Sequence, residues 1–391
     1  MPLFMVQSNA ATDSYIELNE DRIAIDKNSA LIAITRVIIY IKDKDSLQLI
    51  RDKEFKVDAT REAVELLEAK CHMLTTDGQW SASSCRKEPQ LRCQTGKITE
   101  GMRICKLEYD TDEYPVRIEY AIETTRRSIL FKNYFWSMNT LSADMPVKKA
   151  SLEVALPEDV QLFYMTDNID SEPVVRRNDS RVIYRWEQNE LPAHSVNTRN
   201  IEATMPRSIF ISSTADWRPL AQYFADEYEK KTNIPKGSND VIFELTGQSV
   251  DIIRTMPATS IIETIKRAMN DFVKVSSADP LIPLPAKETM VRKRGDCKDL
   301  AVLFVSALRM IGVESYVVLI NKELQMDIET MLPYPYIFNH ALVYVPAQDV
   351  IKQNIIIDPV QPMSRVSMIN TKGLVLKKDY PYFVFISNER K

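Results

Sequence analysis

The stretch Gly-Asp-Cys-Lys-Asp at residues 295–299 constrains this chain more than any other. Behind it run Leu300, Ala301, Leu303, Phe304, Ala307, Leu308 and Ile311, apolar residues spaced for one face of a helix. Gly295 precedes the run and Gly312 follows it, a start and a stop in a chain with only 8 glycines. The spacing predicts a buried helix with Cys297 at its head. A thiol there feels unpaired N–H groups and the positive end of the helix dipole, a field that favours the nucleophilic thiolate. Arg292, Lys293, Arg294 and Lys298 add positive charge nearby.

Two polar residues downstream suit that cysteine. His340 opens Phe-Asn-His-Ala-Leu-Val-Tyr-Val at 338–345, and Asp358 closes Asn-Ile-Ile-Ile-Asp-Pro at 354–359. Both segments read as short buried strands with the polar residue at one end. A thiol, an imidazole and a carboxylate are the three groups that acyl transfer needs. The imidazole takes the thiol proton and returns it to the leaving group, while the carboxylate fixes the ring's tautomer and stabilises its charged form. Taken singly, each has a plainer reading: a small buried filler, a satisfied histidine, an Asp-Pro turn.

Gly-Asp-Cys-Lys-Asp-Leu-Ala, the helix after it, Gly312-Val-Glu-Ser-Tyr-Val-Val-Leu-Ile, Phe338-Asn-His and Ile357-Asp-Pro together resemble the transglutaminase-like superfamily. The resemblance covers about residues 295–360. It implies a papain-like α+β core with Cys297 as nucleophile, His340 as base and Asp358 as orienting acid. The chain before residue 207 resembles, by pattern and position, the β-rich domain of unknown function often fused ahead of bacterial transglutaminase-like domains. Related thiol enzymes complete the oxyanion hole with a polar side chain upstream of the cysteine. The backbone N–H of Cys297 would supply half of such a hole, and residues 270–294 offer no evident donor for the other half.

The expected fold is thus α+β: a polar lead-in over 1–28, an antiparallel β-sandwich over 29–206 and a transglutaminase-like domain over 207–391. Alternation supports the sandwich at Val116, Ile118, Tyr120 and Ile122, at Leu152, Val154 and Leu156, and at Val182, Tyr184 and Trp186. Leu67, Ala69, Cys71 and Met73 keep the same period, whereas 60–66 reads as more helix-like. Beyond Pro206, residues 216–231 read as a helix carrying Leu220, Phe224 and Tyr228. Thr259 or Ser260 would cap the next helix, whose face with Lys266, Arg267, Asn270 and Lys274 reads as solvated. Proline-bearing loops over 276–294 and 321–338 would flank the site.

A net charge of −4 gives no basic footprint, so nucleic acid is not an expected partner; a peptide or protein substrate is. No apolar run reaches the roughly 18 residues of a membrane span. Neither a metal nor another cofactor is expected, since the three groups require none and no calcium-loop pattern occurs. Cys71, Cys85, Cys93 and Cys105 cluster in the first part of the chain, with Cys297 alone. Two disulfides and one free thiol suit that count, with three pairings open, and would mean an exported, periplasm-like setting. Four reduced thiols in a cytosolic protein is the competing reading, and a metal site, disfavoured by the lack of Cys-x-x-Cys spacing, is a third. The first residues lack the basic and apolar segments of a signal peptide.

Two functions from different classes remain at this level. One is a thiol-dependent acyl-transfer enzyme acting on peptide-like amide bonds, by hydrolysis or by transamidation. The other is an inactive scaffold whose β-sandwich binds a protein or glycan partner.

Overall fold

The computed structural model of the 391-residue chain describes residues 13–26, 30–51, 54–58, 62–75, 77–81, 87–95, 102–111, 114–126, 130–131, 134–178, 180–194, 206–233, 240–275, 281–323, 327–348, 351–361 and 371–386. Cys85 and residues 1–12 and 27–28 of the expected lead-in lie outside these. Two compact units meet at Thr214 and Ala215.

The first unit runs β1 (Tyr15–Ile25), β2 (Leu31–Ile41), α1 (Lys44–Arg51), β3 (Glu54–Asp58), β4 (Glu62–Met73), β5 (Lys87–Thr95), β6 (Met102–Asp110), β7 (Val116–Arg126), β8 (Trp136–Thr140), β9 (Val147–Pro157), β10 (Phe163–Asp167), β11 (Val174–Asn178), β12 (Arg181–Leu191) and β13 (Ser208–Ser212). A seven-stranded sheet has the order β11-β12-β9-β1-β2-β7-β4, and two three-stranded sheets read β10-β13-β8 and β3-β6-β5. Period-two patterning puts Ile23, Ile39, Ile118 and Leu152 of the large sheet in one core with Ile209 and Ile211 of β13 and Leu107 of β6. The intervening polar residues meet across strands. Arg117 Nε donates to Glu17 at 2.9 Å, Arg126 Nε to Glu62 at 2.7 Å, and Arg185 Nη1 to Glu153 at 3.0 Å.

Three expectations change here. Residues 15–25, assigned to a polar lead-in, form β1 inside the large sheet. Its Glu17, Glu20 and Asp21 hide the alternation of Ile16, Ile23 and Ile25, and those acids have partners on β2, β7 and β12. The large sheet is mixed rather than antiparallel, because β1 pairs parallel with β9 in the register Asp21↔Leu152. Sequence neighbours do not reveal a pairing closed by so long a crossover. Residues 62–66 are strand, not helix. A bulge between Leu66 and Glu68 shifts the pairing of β4 with β7 by one residue, which breaks the even alternation and leaves Leu67 exposed.

The second unit runs α2 (Arg218–Thr232), α3 (Asp240–Thr246), α4 (Val250–Arg254), α5 (Ala258–Phe272), β14 (Lys274–Val275), α6 (Ala286–Arg292), β15 (Arg294–Gly295), α7 (Cys297–Met310), β16 (Tyr316–Ile320), β17 (His340–Val345), β18 (Ile355–Ile357), β19 (Thr371–Val375) and β20 (Tyr382–Ile386). An antiparallel sheet of order β18-β17-β16-β19-β20 carries α7 against β16 and β17. Leu300 through Leu308 are all buried, so α7 is hydrophobic on every side and forms the unit's central helix. Helix α6 replaces part of the loop expected over 276–294. Pro285 starts it with φ −56°, and Lys293, left-handed at φ 51°, ends it. Helix α5 starts at Ala258, after Pro257, with no side-chain cap from the expected Thr259 or Ser260. No helix among the described residues is long and apolar enough to cross a membrane.

Candidate active site

The first turn of α7 is fixed by a capping box. Asp296 Oδ1 accepts from the backbone N–H groups of Lys298 at 2.8 Å and Asp299 at 3.1 Å, and Asp299 Oδ2 accepts from Asp296 N–H at 3.0 Å. Asp299 Oδ1 also takes the Leu284 N–H at 2.8 Å, tying the preceding loop to the helix. Burial first, then the charge of Asp296, raises the Asp299 carboxyl above its ordinary range. Gly295 is required by close approach: a Cβ there would lie 2.7 Å from Asp299 Cβ and 3.1 Å from Thr289 Cγ2. Gly312, at φ 92°, terminates the helix in the left-handed region. The motif's glycine and both aspartates therefore serve to present Cys297, a partly exposed free thiol, as the first helical residue.

His340 and Asp358 come together through strand register. His340 opens β17 and Asp358 follows β18. The antiparallel pair Val343↔Ile357, carried one step further, sets Asp358 opposite Leu342, on whose face His340 also lies. His340 Nε2 lies 3.0 Å from Asp358 Oδ2. Cys297 lines the same pocket as His340, and Nδ1 is the ring nitrogen that Asp358 does not take. Burial alone would lower the imidazole's pKa, but the hydrogen bonds and charges of Asp358 and Cys297 outweigh it and leave it raised. For Asp358, burial opposes ionisation, yet His340, the Val360 N–H and Lys322 together hold the carboxyl well below its usual range.

Asp358 is held on every side. Its Oδ1 accepts from Val360 N–H at 3.0 Å, its Oδ2 also meets Lys322 Nζ at 3.2 Å, and its backbone oxygen accepts from Lys266 Nζ at 2.6 Å. Lys266 corrects a sequence reading. Its helix face reads as solvated from the sequence, but Lys266 is 3% exposed and belongs to the buried stripe of Ile262, Ile265 and Met269. Burial pulls its ammonium below the usual lysine range against the Asp358 charge. Its place four residues after Ile262 and three before Met269, on the apolar face, is the available signal.

Asn339 braces the turn before His340. Its Oδ1 accepts from Lys322 N–H at 2.8 Å and its Nδ2 donates to Asn321 Oδ1 at 3.2 Å, while Asn321 Nδ2 reaches Ile337 O at 2.6 Å. Cys297 and His340 open onto a pocket of about 380 Å³ walled by Phe224, Tyr228, Leu281, Pro335, Tyr336 and Phe338. Phe224 stands between Tyr228 and Phe338 at ring separations of 6.3 and 6.2 Å. The structure thus brings His340 and Asp358 into contact and sets Cys297 beside them in one cleft.

In the first unit, Cys93 and Cys105 form a disulfide between β5 and β6, and Cys71 is also disulfide-bonded.

A family model described as a domain of unknown function with solved structure, DUF3857, matches residues 95–195, within the stretch likened above to a β-rich domain of unknown function. No curated protein matches the chain. Among solved structures, a candidate protease from Parabacteroides distasonis superposes with a TM-score of 0.73 at 12% identity, covering 98% of this chain and 73% of its own. At that identity the likeness is one of fold. The periplasmic domain of TgpA from Pseudomonas aeruginosa, bound to ethylmercury, aligns at a TM-score of 0.24 and 14% identity over 76% of this chain and 90% of its own. Leukotriene A4 hydrolase from Saccharomyces cerevisiae, in complex with bestatin, aligns at 0.27 and 12% identity over 54% and 31%.

Proposed function

We propose that this chain is a transglutaminase-like thiol enzyme that transfers acyl groups from peptide-like amides, with water as the acceptor. The observation that carries the reading is the 3.0 Å contact of His340 Nε2 with Asp358 at a pocket that His340 shares with Cys297, a thiol at a helix N-terminus. His340 takes the thiol proton on Nδ1. The Cys297 sulfur adds to the amide carbon, and the carbonyl electron pair moves to oxygen. When that pair returns, the C–N bond breaks and the amine leaves with the proton from His340, giving a thioester. His340 then deprotonates a water, which attacks the thioester and restores the thiol and a free acid. Asp358, ionised and fixed by four partners, holds the ring in the productive tautomer. No metal enters any of these steps.

Water is favoured as acceptor because hydrolysis needs no second specific site for an amine. The Cys93–Cys105 bridge suits work in an oxidising compartment such as a periplasm. The test is a peptide library incubated with the full chain, with and without a labelled primary amine, and read by mass spectrometry. New carboxyl termini or deamidated glutamines with wild type, absent with Cys297→Ala and His340→Ala, are expected. Incorporated label would move the reading to transamidation, and identical products from wild type and Cys297→Ala would overturn it.

A further inference from the structure

Among the described residues, the capping box leaves one donor at the head of α7. The N–H groups of Asp296, Lys298 and Asp299 go to the two aspartates, and that of Leu300 goes to Asp296 O at 3.0 Å. The Cys297 N–H takes part in none of these bonds. An acyl-transfer site of the kind proposed above needs a second donor for the oxygen that gains charge.

We infer that the phenol O–H of Tyr228 is that second oxyanion donor, an inference that rests on the acyl-transfer reading of Cys297. Tyr228 lies on α2, 2% exposed, and lines the same pocket as Cys297 and His340. Its ring is fixed by Phe224 at 6.3 Å, while among the described residues its hydroxyl makes only a 3.5 Å contact with Leu281 O. A bond that long is readily exchanged for a shorter one to an anionic oxygen. Burial, with the charges of Asp296, Cys297 and Asp299, drives the phenol well above its ordinary pKa, so it keeps its proton. Those three groups make up the first turn of α7, the turn that carries the spare Cys297 N–H.

The other polar side chains at the pocket have settled partners. Asn339 is spent on Asn321 and Lys322, and Lys298 Nζ pairs with Asp296 Oδ2 at 2.7 Å. Tyr336 is 37% exposed at the rim. Nearby, Trp217 Nε1 donates to Met331 O at 2.8 Å.

In the addition step the Cys297 sulfur bonds to the carbonyl carbon and the C=O pair moves onto oxygen. Tyr228 donates a hydrogen bond to that oxygen and retains its proton. On collapse the pair returns, the leaving group departs with the proton from His340, and the phenol is left unchanged.

Comparing two reactions of the same sulfur tests this. Acylation by p-nitrophenyl acetate passes through an oxyanion, whereas alkylation by iodoacetamide is displacement at a saturated carbon and does not. In Tyr228→Phe, which keeps the ring, the acylation burst should slow by about 100-fold. Iodoacetamide should still label Cys297 within about twofold of the wild-type rate, which also reports an intact site. An unchanged burst in Tyr228→Phe, with a burst present in wild type and absent in Cys297→Ala, would overturn the role of Tyr228 alone. Equal slowing of both reactions would make Tyr228 a support for the thiol instead. A wild-type burst no larger than that of Cys297→Ala would overturn the acyl-transfer reading, and this inference with it.

Discussion

Asp358 and His340 stabilise each other's charged forms, so their contact makes the site sensitive to pH in a defined direction. His340 is raised above its ordinary value of 6.5, so its contribution to stability is complete below that pH and lost as pH rises through the raised value. Asp358 is lowered from 3.8, so its contribution is present above that pH and lost as pH falls through the lowered value. Activity that depends on the imidazolium should fall on the same alkaline limb. Asp358→Asn removes the carboxylate that raises His340. The alkaline limb of kcat/KM should therefore move to lower pH, and turnover should drop by up to about 10⁴-fold. A limb that stays in place would show that Asp358 does not set the state of the ring. Lys266 acts one bond further out, through the Asp358 carbonyl. Lys266→Met fills the space but leaves the buried Asp358 carbonyl without its donor, so thermal stability should fall by about 1–3 kcal/mol. The loosened carboxylate should still cost about tenfold in kcat with KM little changed. Wild-type kcat in that variant would reduce the lysine to a packing role.

At the scale of elements, α7 depends on a glycine and two carboxylates that do not line the pocket. Gly295→Ala would drive a Cβ into Asp299, which holds both the cap and the Leu284 loop. A loss of about 1–3 kcal/mol in stability should follow, together with slower alkylation of Cys297 as its turn distorts. Wild-type stability and labelling would show that the first turn can shift to make room. The sequence exposes this element because its capping residues, apolar face and terminal glycine all lie within one short window. The ends of β17 and β18 are legible for the same reason. Other features of the site are not local. Tyr228 sits among Leu220 and Phe224 and so reads as core, because burial and a polar duty at the hydroxyl leave the same pattern. Lys266 reads as surface because charge usually means solvent, and only the fold brings the Asp358 carbonyl to it. In the first unit, the bulge in β4 and the parallel pairing of β1 with β9 are settled by distant partners, so neither the phase of alternation nor strand direction can be read from neighbours.

For the molecule as a whole, the stabilising devices fall on different sides of the boundary at Thr214 and Ala215. The Cys93–Cys105 bridge, with a sequence separation of 12, belongs to the first unit. Closing a loop of that size restricts the unfolded chain by about 3 kcal/mol in the entropic account. The His340–Asp358 contact and the capping box of α7 belong to the second unit. Each unit has its own apolar core, so each should unfold as its own cooperative step. Calorimetry of the full chain should resolve two transitions. A reductant should lower one of them while leaving the rate of Cys297 alkylation in the folded protein unchanged. Raising the pH through the His340 titration, or introducing Asp358→Asn, should lower the other and leave the reductant-sensitive one in place. A non-reducing peptide map would accompany the scan, to establish that the protein entering it carries the bridge. A single transition that both reductant and Asp358→Asn displace would mean that the two units melt as one, and that the redox state of the β-rich unit bears directly on the stability of the site.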